Sequence, residues 1–217
     1  MRTTSLGLPL HKRGYAKGVL TDLVQIRQLT EMHRADTLAF QRHLAAHHYP
    51  DGPLRILART VEQQIDCTAC ANCCRQTRVS LSEAEIAVIA RYLELESSEV
   101  VRQYTIPDAD NSSARILRHT KDGCVFLDGN LCMVYEARPR ACQEFPHLSA
   151  STRSLGSRMP SVFRRAGFCP IVYNVLESYK RLIGYHPHPH EPGTGRATLA
   201  ASVGPLDAKA HSTITNR

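Results

Sequence analysis

From Gly18 to His48 the chain has no proline, and Leu20, Leu23, Ile26, Leu29, Met32, Ala35 and Leu38 recur at a constant step of three. On a helix of 3.6 residues per turn that step slips backwards by about 60° each time, so the apolar stripe winds round the cylinder. The pattern predicts either two helices with a break between them or one long helix packed from several sides, for instance by a second copy of the chain. Pro50-Asp51-Gly52-Pro53 reads as a turn or linker, and Leu54 to Asp66 as a helix running into the first cysteine. Ser82-Glu83-Ala84-Glu85 has the form of a capping box, which predicts a helix from Glu83 to about Leu95 with Ile86, Ile89, Ala90 and Leu93 on one face. Ser97 or Ser98 is placed to cap a shorter helix through Tyr104, which Pro107 closes off.

Between Ile116 and Tyr135 the pattern changes to strand. Cys124-Val125-Phe126-Leu127 and Leu131-Cys132-Met133-Val134-Tyr135 flank Asp128-Gly129-Asn130, as in a small hairpin. Pro139 and Pro170 each suit the first position of a helix, and Ile171 to Ile183 is apolar-periodic up to a stop at Gly184. Beyond it the chain is rich in His, Pro, Gly, Ser and Thr and loses its apolar pattern. The expected fold is mainly α with a small β-hairpin, an irregular cysteine-rich domain stapled by metal. Its organisation is a flexible basic arm at 1–17, a helical segment at 18–66, a cysteine-cluster metal-binding domain at 67–184 and a disordered tail at 185–217.

Composition changes this picture in two ways. Only 6% of the 217 residues are aromatic and none is tryptophan, so large core anchors are scarce and something else is expected to help hold the fold. Twenty-seven Lys and Arg against twenty Asp and Glu give a net charge of +7, which raises an acidic surface or nucleic acid as a partner. No apolar run approaches the roughly 18 residues that span a bilayer, and Met1 to Lys17 lacks the apolar core of a secretory signal. A soluble, cytoplasmic protein without a membrane partner is therefore expected. The acid-free basic start leaves an organelle transit peptide as the alternative.

All eight cysteines lie between Cys67 and Cys169. In a reducing compartment thiols at short spacings point to metal ligands or catalytic groups, ahead of a disulfide framework or metal-free packing. Cys67-x-x-Cys70-x-x-Cys73-Cys74 is the densest feature, followed by Cys124, Cys132, Cys142 and Cys169. Cysteines two residues apart can turn their thiolates to one centre, as in tetrathiolate zinc and iron–sulfur sites. Adjacent side chains diverge by roughly 100° on a helix and roughly 180° on a strand, so Cys73 and Cys74 are expected to face two centres, or two parts of one large cluster. Eight thiolates divide into four and four. A ferredoxin-type run at Cys67, Cys70 and Cys73, with the distant pair Cys169-Pro170, suggests Cys67, Cys70, Cys73 and Cys169 round one centre and Cys74, Cys124, Cys132 and Cys142 round the other. The cofactor expected is an iron–sulfur cluster, ranked just ahead of zinc.

These motifs, with Gly123-Cys124-Val-Phe-Leu127, Tyr135-Glu136-Ala-Arg138-Pro139-Arg140-Ala-Cys142, Phe145-Pro146 and Phe168-Cys169 in order, resemble the YkgJ-like CxxCxxCC cysteine-cluster family over about residues 64–172. The resemblance implies a zinc- or iron-chelating domain, often labelled an iron–sulfur-cluster protein, and a similar cluster occurs in flagellin lysine methylases. Asn72 stands where many relatives carry glycine, a mild change because Asn tolerates left-handed backbone angles.

Between residues 136 and 181, Arg138, Arg140, Arg153, Arg158, Arg164, Arg165, Lys180 and Arg181 outnumber Glu136, Glu144 and Glu177. Compensation of thiolate charge is the expected role, ahead of a nucleic-acid face, because no recognised nucleic-acid motif accompanies them. His147 is the best-placed spare histidine, and His186-Pro-His188-Pro-His190 is a short tract of a kind that takes up metal. No familiar catalytic or nucleotide-binding motif is present in the sequence. The leading expectation is a metal-binding cysteine-cluster protein acting as an electron-transfer or accessory component, with metal ions as its partners and any protein partner or oligomeric state undefined. The rivals are a cluster-dependent modification enzyme related to the flagellin methylases and a zinc-stapled nucleic-acid-binding module.

Overall fold

The computed structural model describes residues 18–109, 111, 114–149 and 155–186. The arm expected at 1–17, and the tail from Pro187 on with His188 and His190, lie outside the described residues. The fold is mainly helical, with a few small antiparallel strand pairs.

The winding stripe resolves into two helices, α1 (Leu23–Met32) and α2 (Arg34–Ala46), broken at His33. Asp22 caps α1 by accepting from the amides of Val24 and Gln25 at 2.8 and 2.9 Å. As a winding stripe requires, Ile26 is fully buried while Met32 and Leu38 are exposed, and α2 is anchored by Phe40. The α3 helix (Asp51–Glu62) starts earlier than expected: Asp51, Gly52 and Pro53 form its first turn and Pro50 caps it. Proline costs little there, because the first-turn amides have no partner within the helix.

Leu54, Leu57, Ala58 and Val61 of α3 pack on Ile171, Val172, Val175, Leu176 and Tyr179 of a long helix, Pro170–Leu182, with Phe40 beside them. Asn174 of that helix pins the segment just before α1, accepting from the Leu20 amide at 2.9 Å and donating to the Leu20 carbonyl at 2.8 Å. This first core is completed by a helix not expected from the sequence, Leu155–Arg165, through Met159, Val162 and Phe163, with Ala166 just beyond its end. Tyr185 also packs here, its ring 4.7 Å from that of Phe40.

A second core gathers round α6 (Glu83–Leu93) and α7 (Ser97–Tyr104). The capping box forms as expected: the Glu85 amide donates to Ser82 Oγ, and Glu85 Oε2 accepts from the Ser82 amide at 2.8 Å. Ser97 is instead the first residue of α7, and Glu96 occupies the cap. The strands Ser80–Leu81 (β1), Thr105–Pro107 (β2) and Arg115–Leu117 (β3) form an antiparallel sheet in the order β1-β3-β2. Two further ladders follow: His119–Thr120 (β4) with Gly123–Cys124 (β5), and Leu127–Asp128 (β6) with Leu131–Cys132 (β7). The expected hairpin is therefore shorter than its hydrophobic run, because Cys124 pairs backwards to His119 while Leu127 pairs forwards to Cys132. Phe126 and Val134 carry this region into the second core.

Candidate metal centre

The dense cysteine motif lies on two one-turn helices, α4 (Cys67–Cys70) and α5 (Asn72–Gln76). Asp66 caps α4 by accepting from the Thr68 amide at 2.8 Å. Between the two helices Ala71 is left-handed, with φ 46°, so the chain turns after Cys70 and presents Cys73 and Cys74 from a new axis. The residue that takes the strained angle is thus Ala71. Asn72 uses its side chain instead: Nδ2 donates to the Phe168 carbonyl at 2.7 Å, and this ties the motif to the residue before Cys169. Cys67, Cys70, Cys73 and Cys169 line one small cleft, walled by Ile65, Phe145, Phe168 and Ile171 of the first core's surroundings.

Cys74 is close enough to act on Cys124, Cys132 and Cys142. The backbone of β5 approaches it so closely that a Cβ on Gly123 would meet the Cys74 carbonyl oxygen and Arg75 Cα, each at 3.0 Å, and Gly123 has φ 127°. Arg75 reaches across to the tip of the β6–β7 hairpin, donating to the Gly129 carbonyl and to Asn130 Oδ1, each at 2.7 Å. Asn130 returns a bond to the Ala69 carbonyl at 2.9 Å. Cys124 and Cys132 pack against the second core, while Cys142 sits on a one-turn helix, α8 (Arg140–Gln143). Glu85 orients that helix, its Oε1 accepting from the Arg140 amide at 3.0 Å.

A family model matches residues 66–169: CxxCxxCC, described as a "putative zinc- or iron-chelating domain". Residues 66–169 are thus similar to the CxxCxxCC family. No curated protein and no solved structure matches the chain significantly. No helix among the described residues is long and apolar enough to cross a membrane.

The electrostatics of the CxxCxxCC domain fall into the same two groups. Burial pushes the Cys169 thiol up to about 12; the amides of Ile171 and Val172 at the start of the Pro170–Leu182 helix work against this, and Cys67 and Cys70 add to it. Cys67 is raised by burial, then by Cys70 and by the carboxylates of Asp66 and Glu62. Burial also pushes Cys142 up to about 12, reinforced by Cys74, Cys124 and Cys132 and opposed by Arg138. Burial raises Cys124 and Cys132 too, against the amides of Phe126 and Val134 that face their sulfurs. Apart from Cys74, which acts on Cys67 and Cys73 as well, the cysteines that act on Cys67, Cys169, Cys124, Cys132 and Cys142 come from the same group of four.

The groups meet at Cys73 and Cys74. Their sulfurs are 4.0 Å apart, and Cys73 holds the shared proton, so it is raised while Cys74 is lowered, helped by Arg75 and Arg138. The two sulfurs thus lie close together although they leave adjacent positions of the one-turn helix α5. Sulfurs on one tetrahedral zinc with bonds of about 2.3 Å lie roughly 3.8 Å apart, so this separation by itself also suits one shared ion.

The donor set fits a thiolate-bound metal. Neighbouring cysteines help to raise Cys67 and Cys169 in one group and Cys124, Cys132 and Cys142 in the other, because thiolates at close quarters repel, and a central cation removes that cost. Backbone amides directed at Cys124, Cys132 and Cys169 favour thiolate over thiol. As the side chains stand, no three of the described His, Cys, Asp and Glu residues converge as a ready metal shell. Of the basic residues singled out by composition, Arg138 acts on Cys74, Cys132 and Cys142 and Arg165 on Cys169. Lys180 is instead a buried partner of Glu177 at 2.7 Å, and Arg140 pairs with Glu144. His147, after the cis Phe145-Pro146 bond, lies 3.8 Å from Glu144. Arg75 and Asn130 were not foreseen. The only signal for them was a basic residue directly after Cys74 and an Asn at a hairpin turn.

Proposed function

We propose that the eight cysteines hold two thiolate metal centres, Cys67, Cys70, Cys73 and Cys169 round one and Cys74, Cys124, Cys132 and Cys142 round the other, in a protein whose role is metal or cluster binding. The similarity of residues 66–169 to a family described as zinc- or iron-chelating supports this reading. The observation that carries the division is the cleft lined by Cys67, Cys70, Cys73 and Cys169 together, with the other four sulfurs acting on one another. A bound iron–sulfur cluster would supply one-electron chemistry, and zinc a closed structural staple. The chain's own residues bring the donors together: Asn72 holds Cys169 to the first group, and Arg75 with Asn130 holds the hairpin of Cys132 to the second. Arg138 offsets the negative charge of the second group.

The test is anaerobic purification of the whole chain, with iron, zinc and acid-labile sulfide measured per folded molecule. Stoichiometric metal is expected, and a well-folded metal-free protein overturns the proposal. Cys73→Ala and Cys74→Ala separate two centres from one. Each should diminish one centre and leave the other on the soluble, loaded fraction, whereas identical loss of all metal from both variants points to a single shared cluster and removes the four-and-four division.

A further inference from the structure

Histidines are the metal-ligating side chains that the cysteine groups leave unused. His43 near the end of α2 and His47 at its cap stand four residues apart, on one face of the helix. Their rings are stacked, with centroids 4.2 Å apart and planes inclined by 29°. His47 Nδ1 lies 2.8 Å from the His43 carbonyl oxygen, so this nitrogen carries the proton and donates it. The lone pair is then on Nε2, on an exposed side chain. One ring N–H tied to a backbone carbonyl, with the opposite nitrogen on the ion, is how histidines are set for metal.

His43 Nε2 lies 2.8 Å from the Tyr49 hydroxyl, and the His43 ring packs 5.0 Å from that of Tyr185. His186 follows directly, the first of the tract His186-Pro-His188-Pro-His190. Two imidazoles one turn apart on a helix are the ligand pair of helical zinc sites, and imidazole suits Zn²⁺, Ni²⁺ and Cu²⁺.

We propose that His43 and His47 bind one such divalent ion through their imidazoles, at a site separate from the cysteines. The site stands on α2, which carries no cysteine, and is independent of how the thiolates are divided. Tyr49 is a competitor: its hydroxyl occupies the nitrogen that the ion takes from His43, so binding displaces that hydrogen bond.

The probe is Ni²⁺, titrated by calorimetry into the untagged full-length protein with its cysteine metal in place. Imidazole-bound nickel is distinguished from thiolate-bound nickel by the absence of a sulfur-to-metal charge-transfer band. One ion per chain without that band is expected. His47→Ala, a change at an exposed position, should weaken binding about tenfold or more. Tyr49→Phe should tighten it a few-fold by removing the competitor, and the double variant His188→Ala, His190→Ala should leave it essentially unchanged. Binding that persists unchanged in His47→Ala overturns the proposal; binding that disappears in the double variant overturns it and places the ion on the tail. Absence of any such binding overturns it as well.

Discussion

Asn72 offers the sharpest test of how the cysteine motif is held. It is 8% exposed, and its Nδ2 donates at 2.7 Å to the carbonyl of Phe168, the residue before Cys169. Because the partner is a carbonyl, the nitrogen end of the amide must face it, so the orientation is set by chemistry. Asn72→Ala removes the donor and leaves that carbonyl beside Ile65, Phe145 and Ile171, which costs about 1–3 kcal/mol for a buried acceptor left unpaired. Taking about 2 kcal/mol, and a urea dependence of about 2 kcal/mol per molar, the unfolding midpoint of the metal-loaded protein should fall by about 1 M. Asn72→Asp should be worse than alanine, since it sets a carboxylate against the carbonyl oxygen. Circular dichroism in urea under anaerobic conditions reads the stability. Competition with a chelator reads the metal, and the affinity of the Cys169 group should drop about tenfold or more while the other group is unmoved. A midpoint within about 0.2 M of the parent protein, or an aspartate variant as stable as the parent, would refute the clasp.

Four further outcomes follow from the same geometry. Ala71→Gly relieves the left-handed φ of 46° and should stabilise the protein by up to about 1 kcal/mol in the same urea assay. Gly123→Ala places a Cβ 3.0 Å from the Cys74 carbonyl at a φ of 127°; a loss of about 2 kcal/mol or more, with weakened metal binding in the Cys74 group, is expected. Ser82→Ala breaks the capping box of α6 and should cost about 1 kcal/mol with no change in metal content, which makes it a control for stability alone. In metal-free protein Cys142 and Cys169 are pushed up to about 12 against about 8.5 when unfolded, so the folded chain keeps protons that the unfolded chain releases. Their contribution is complete below about pH 8.5 and is lost as pH rises towards 12, and a melting temperature flat from about pH 8.5 to 10.5 would contradict it.

What could be read from the sequence depended on whether the signal was local. The capping box of α6, the break in the stripe that became α1 and α2, and the periodic face of Pro170–Leu182 are each contained in a dozen or so neighbouring residues, and each forms. The helix Leu155–Arg165 also had its periodic face, Met159, Val162 and Phe163, continued by Ala166, but Pro160 lies among them and argues against a helix. Tertiary burial against the first core outweighs that local penalty. The left-handed residue proved to be Ala71 rather than Asn72, because the Asn72 side chain answers a carbonyl 96 positions away, which no local rule could register. Arg75 and Asn130 escaped for the same reason. Their bonds join residues more than fifty positions apart.

Under the proposed division, the two groups of cysteines reach two different hydrophobic cores. Cys169 is part of the first, among helices, whereas Cys124 and Cys132 lie against the second, beside the small ladders. Cys67–Gln76 comprises only two single helical turns, and of its residues only Ala71 and Asn72 are buried. Helices so short have no stability of their own, so this segment takes its form from the bonds that Asn72, Arg75 and Asn130 make across it. Under the proposed division, a metal in the first group fastens the motif to the helical core and a metal in the second fastens it to the other. Cys73 and Cys74, adjacent in the chain and 4.0 Å apart at sulfur, are then where the two attachments meet. Filling one centre fixes the backbone that carries a ligand of the other, which lowers the entropy lost on filling it. The two metals should therefore load with positive cooperativity, and that cooperativity should weaken when either polar clasp is removed.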